Sequence, residues 1–155
     1  MTKEEKYMKA AIRQARKARQ AGEVPIGCVI VWNDKIIARG YNKRMKSKSV
    51  LGHAELEAIK KANKIAGDWR LDECEMYVTL EPCPMCAGAV VQSRIKNVYI
   101  GAMNPKAGCA GSILNILSEP RFNHQCTVET GVLAQECSRL LREFFSELRN
   151  SHKMT

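Results

Sequence analysis

No stretch of this 155-residue chain approaches the ~18 consecutive apolar residues that mark a membrane-spanning helix, so no bilayer span is expected. The N-terminus, Met1 to Arg19, is charged and lacks the apolar core of a secretory signal, which makes a cytoplasmic location the expectation. Repeats, low-complexity tracts and Pro/Gly-rich linkers are also missing. The length suits one domain with a sizeable core and is too short for two of ordinary size, so residues 1–155 are read as a single domain. The cysteines argue against a disulfide framework too: the seven are odd in number and come without an export signal. Only Cys83 and Cys86 have the spacing of metal ligands. Cys28, Cys74, Cys109, Cys126 and Cys137 read as small buried hydrophobes.

What is present is ordinary in bulk and uneven in placement. Hydrophobic residues make up 45% and charged residues 26% of the chain, as in a soluble globular protein. The net charge of +9 is confined to the first third. Residues 1–50 hold 13 Lys/Arg against 4 Asp/Glu, while the remainder holds 12 of each. The run Lys43-Arg44-Met45-Lys46-Ser47-Lys48 is the densest part. Such a surface attracts a polyanion and releases its counterions on binding; on charge alone, a solvated face that aids solubility reads equally well.

Periodicity predicts a helix from Lys3 to Ala21, with Met8, Ala11, Ile12, Ala15 and Ala18 on one face and Gly22 ending it. A hairpin follows: strands Val24 to Trp32 and Lys35 to Tyr41 about the turn Asn33-Asp34. The basic loop 43–51 leads to a helix from His53 to Ile65. Then come a strand from Glu75 to Leu80, a helix from Cys83 to Ser93 and a strand from Asn97 to Gly101. A Gly-rich loop, 101–111, precedes a small helix from Ser112 to Leu117, a short strand from Cys126 to Glu129 and a closing helix from Gly131 to Arg149. Alternating strands and helices predict the α/β class: a three-layer α-β-α sandwich on a mixed, mostly five-stranded sheet.

The chemistry lies in two short segments, His53-Ala54-Glu55 and Pro82-Cys83-Pro84-Met85-Cys86. His53, Cys83 and Cys86 offer three donors to one zinc ion, which leaves a fourth tetrahedral position for water, as in catalytic sites. Cys83 and Cys86 are nearly one helical turn apart, so both sulfurs can face one point. Pro84 suits the first turn of a helix, whose N-terminus favours thiolate over thiol. Glu55 lies two residues past His53, off its helix face, which suits a carrier of protons better than a ligand. Backbone N–H groups near Ala54 or Cys83 could polarise a reacting centre. Each part alone has a plainer meaning: a redox Cys-x-x-Cys, a core histidine, a solvated carboxylate, or a closed structural zinc with Cys109 or His124 as fourth ligand. Jointly they form the H-x-E…P-C-x-x-C signature of zinc deaminases acting on nucleobases.

With these residues in place, nearly the whole chain resembles the bacterial tRNA-specific adenosine deaminases. The matching stretches are Gly22-Glu23-Val24-Pro25-Ile26-Gly27, Tyr77-Val78-Thr79-Leu80-Glu81-Pro82-Cys83, Met85-Cys86-Ala87-Gly88-Ala89, Gly108-Cys109-Ala110-Gly111-Ser112 and Phe122-Asn123-His124. The resemblance implies a cytidine deaminase-like fold. It further implies hydrolysis of the wobble adenosine of a tRNA anticodon to inosine, by a homodimer with one Zn2+ per subunit. Glu55 would be the proton shuttle beside a zinc-held hydroxide. Asn42, Ala54, Asn104 and Lys106 become candidate substrate contacts. Lys43, Arg44, Lys46 and Lys48, with Arg142 and Arg149 on the last helix, become candidate contacts to the anticodon stem-loop. The adenine must leave its stack to be read. Gly52 stands where relatives commonly have alanine, which loosens the helix start. Asn104 stands where relatives often have aspartate, an acceptor for the ribose 2′-OH, so weaker preference for RNA over DNA is expected. A free-base or nucleoside deaminase acting on guanine, cytosine or cytidine is the alternative enzyme. A catalytically silent nucleic-acid-binding module with structural zinc is the alternative outside enzymes, and it has no use for Glu55.

Overall fold

The computed structural model describes residues 1–153. Helix α1 (Lys3–Gln20) opens with a capping box: Glu5 N–H donates to the Thr2 hydroxyl, and Thr2 N–H to the Glu5 carboxylate, satisfying donors the helix cannot. Strands β1 (Gly27–Trp32) and β2 (Lys35–Tyr41) follow as a hairpin. Its two turn residues, Asn33 and Asp34, both have positive φ, the geometry that matches strand twist. The first strand starts at Gly27, three residues later than predicted. Pro25 has no N–H for a ladder, and Ile26 N–H turns back to Val24 O.

The predicted basic loop contains one helical turn, α2 (Arg44–Ser47). Helix α3 (Ala54–Ala66) is capped by His53 at its start and by left-handed Gly67 at its end, a position that favours glycine. Strand β3 (Glu75–Leu80), helix α4 (Pro84–Gln92), strand β4 (Asn97–Ala102), strand β5 (Thr127–Thr130) and helix α5 (Ala134–Lys153) complete the order. The small helix expected from Ser112 to Leu117 is absent. Only a 3-10 turn, Ile116–Ser118, forms there. Ile116 N–H, which a helix would direct to Ser112 O, donates to Cys109 O instead, and Ala110 and Ser112 N–H anchor the loop on the Glu81 carboxylate. Helix α5 starts later than predicted because Gly131 and Leu133 have positive φ.

The strand order is β2-β1-β3-β4-β5. Strand β1 is antiparallel to β2 and β3, and β3, β4 and β5 are parallel, so the sheet is mixed as expected. Alternation along the strands fills two cores. Cys28, Ile30, Met76, Val78, Val98 and Ile100 pack with α3 and α4, while Val29, Val31 and Tyr77 pack with α1 and α5. Two glycines let helices press against the hairpin. A Cβ on Gly27 would come 2.0 Å from Ala11 O, and one on Gly40 would come 2.3 Å from Ala54 O. The second approach seats the start of α3 at the sheet end where the parallel strands finish. In open α/β sheets that end carries the ligand site.

Candidate active site and metal centre

Helices α3 and α4 both start at this end, and their caps are the predicted ligands. His53 caps α3, Cys83 caps α4, and Cys86 sits in the first turn of α4. His53 Nδ1 lies 3.4 Å from Cys86 Sγ and 3.7 Å from Cys83 Sγ. All three donor atoms lie within 4.8 Å of one another. Tetrahedral zinc with its usual Zn–S and Zn–N lengths holds N and S about 3.5 Å apart, so the donors fit that ion. The proposed fourth ligands do not join them. His124 Nε2 meets Ile95 O at 2.8 Å, and the Cys109 thiol faces Ala107 O. Among the described residues the set holds three donors, the number of an open catalytic site.

The two sulfurs are hydrogen-bonded to one another. Hydrogen bonding from Cys86, aided by His53, holds Cys83 down to about 4 against the effect of burial. The same bond and burial push Cys86 up. A divalent cation held by this set would keep both sulfurs as thiolates.

Glu55 is 4% exposed and reaches a pocket of about 170 Å³ that His53, Ala54 and Cys83 also line. Burial pushes its carboxyl up to about 7, the range in which a group gives and takes protons readily. Ala54 begins α3, where backbone N–H groups have no intrahelical acceptor.

The structure gathers some predicted contacts and not others. Asn42, Arg44 and Asn104 line the pocket. Asn42 is tied by its side chain, which donates to Val24 O and accepts from Arg44 N–H. Asn104 Oδ1 accepts from Lys106 and Ala107 N–H, so its acceptor turns into its own loop. Lys106 is exposed and absent from the pocket wall. Lys46 and Lys48 are exposed on or beside α2. Lys43 leans over the Tyr41 ring and lies 3.9 Å from Glu57. Arg142 and Arg149 are exposed on α5, and neither reaches the pocket wall.

Val24, Ile26, Leu80 and Glu81 complete the wall and were given no role from the sequence. Glu81, 1% exposed, accepts from Asn104, Ala110 and Ser112 N–H and from the Ser112 hydroxyl. Burial opposes its ionisation, yet these donors outweigh it and hold the carboxyl below its usual range. A Cβ on Gly108 would strike this carboxylate at 2.2 Å. The available signal was a charged residue directly after a buried strand and before Pro82-Cys83.

Known proteins agree with this architecture. The cytidine and deoxycytidylate deaminase zinc-binding region matches residues 1–102. The tRNA-specific adenosine deaminase of Bacillus subtilis (strain 168) is 54% identical over 99% of this chain and 95% of its own. That of Aquifex aeolicus (strain VF5) is 44% identical over 95% of this chain and 97% of its own. A solved structure from work on tRNA:A34 deaminases in A-to-I editing at the wobble position superimposes with a TM-score of 0.83. Its identity is 39%, over 86% of this chain and 97% of that one. The guanine deaminase of Nitrosomonas europaea, 24% identical with a TM-score of 0.74 over 90% of this chain and 83% of its own, shares the fold. With the family match, the full-length identity and the superposition in agreement, the chain belongs to the cytidine and deoxycytidylate deaminase family, on its branch of tRNA-specific adenosine deaminases.

Proposed function

We propose that this chain hydrolyses adenosine to inosine at the wobble position of a tRNA anticodon. The observation that carries the chemistry is the open three-donor centre with buried Glu55 in the same pocket wall. Zinc held by His53, Cys83 and Cys86 would supply Lewis acidity that lowers the pKa of a water to about 7. Glu55 takes a proton from the attacking water and passes it to the purine ring nitrogen. A second transfer reaches the departing amino group, so adenosine and water yield inosine and ammonia. Asn42 and Ala54 orient the base in the pocket, with Asn104 as a further contact from its wall.

The substrate is supported by the activity named for the relatives and by the basic α2 segment beside the pocket. A free base needs no polycation, whereas a stem-loop does. Arg44, Lys46 and Lys48 are therefore the leading phosphate contacts, with Lys43, Arg142 and Arg149 behind them. The chain would act as one domain in a cytoplasmic homodimer with one zinc per subunit. Exposed Ile113, Leu114 and Phe122 supply apolar surface for that assembly. No described helix is long and apolar enough to cross a membrane. Incubating the zinc-loaded protein with an adenosine-wobble anticodon stem-loop tests the reading. Inosine at that single position is expected; ammonia from guanine or cytosine, with an unmodified stem-loop, would overturn it.

A further inference from the structure

A buried acid lies under the basic segment. Glu23 is 2% exposed, and among the described residues it enters no ion pair. Its two oxygens end on the backbone of α2: Oε1 accepts from Met45 N–H at 3.0 Å and Oε2 from Lys46 N–H at 2.8 Å. Nearby residues extend the link. Asn42 N–H donates to Ile26 O, and Asn42 Nδ2 donates to Val24 O. Segment 42–46 is thus fastened to segment 23–26, which itself forms pocket wall.

Charge does not account for this arrangement. A carboxylate beneath a surface that must meet phosphates weakens the attraction, and burying it carries a desolvation cost. Geometry does account for it. Helix α2 is four residues long, buries no side chain and gets no cap from its N-cap side chain, Lys43; Asn42 Oδ1 takes only the Arg44 N–H. An isolated turn of that length does not hold its shape in water. The Glu23 carboxylate gives it two fixed acceptors from outside.

Taking the tRNA reading above as its basis, we propose that Glu23 is a positioning residue for RNA. It fixes α2 so that Arg44, Lys46 and Lys48 meet the substrate backbone in one arrangement beside the pocket.

Glu23→Gln separates this role from electrostatics by sign. The variant removes a negative charge under the basic segment, so charge alone predicts a lower KM for the stem-loop. Positioning predicts the reverse, since one of the two acceptors is lost. The expected result is a KM raised about tenfold, with kcat changed less than about twofold and zinc content unchanged. Amide exchange at Met45 and Lys46 should accelerate in the same variant. A KM that is unchanged or lower overturns the proposal, and so does a kcat that falls together with zinc content. If Glu23→Gln does not fold, Glu23→Asp decides. It keeps the charge and both acceptors on a shorter arm, so faster exchange with an intermediate KM supports the role, and a parental KM overturns it. A parent enzyme that makes no inosine removes the tRNA reading itself and this role with it.

Discussion

Glu55 and the three donors divide the chemistry at the residue scale. Glu55→Gln keeps the size and one acceptor oxygen but cannot carry the proton, so kcat should fall by about 10²–10⁴-fold. Zinc content, measured by atomic emission on the same sample, should stay at one per chain, because the donor set excludes Glu55. An equal loss of zinc and activity would make Glu55 a structural residue. At Asn104 the amide oxygen is spent on Lys106 and Ala107 N–H. Asn104→Asp supplies a second, charged oxygen toward a ribose 2′-OH. Activity on matched RNA and DNA hairpins should therefore shift toward RNA, and an unchanged ratio counts against the contact.

At the scale of elements, the ligands are held by helix starts, and the helices are held by the sheet. Gly40→Ala would put a methyl 2.3 Å from Ala54 O, pushing the start of α3 and His53 away from Cys83. Overpacking of this kind costs about 1–3 kcal/mol, so a lower Tm and a weaker hold on zinc are expected together. A competition assay with a zinc chelator reads the second effect; zinc affinity equal to the parent's would show that α3 is not set by this contact. Much of this frame was legible beforehand. The period of α1, the Asn33-Asp34 turn and the ligand spacings are local patterns, and each held. What escaped was governed by long-range partners. The expected helix from Ser112 to Leu117 gives way because the ladder donor Ile116 N–H turns to Cys109 O, in a loop anchored on Glu81 some thirty residues earlier in the chain. The turn α2 takes its shape from Glu23. In both cases a buried carboxylate directs a loop, and no periodicity within the loop announces that.

For the whole molecule, the uneven charge becomes a surface with a direction. The excess of the first third includes Lys46 and Lys48, both exposed, beside a pocket whose wall contains Arg44. Phosphate contacts release counterions, so log(kcat/KM) for a stem-loop should fall linearly with log of salt concentration. Each contact contributes about 0.7–0.9 to the slope. Replacing Lys46 and Lys48 by alanine together should lower the slope by roughly 1.4–1.8 and leave kcat near its parental value, since neither side chain lines the pocket. The same pair of changes should leave the Tm unaltered, because neither lysine makes an ion pair among the described residues. Arg142→Ala with Arg149→Ala provides the comparison from the opposite layer of the sandwich. If the RNA lies over α2 alone, that pair leaves the slope untouched; a comparable drop would extend the footprint along α5. A slope that ignores Lys46 and Lys48 would reduce the basic first third to a solubilising face and leave the pocket to find its adenosine without electrostatic guidance.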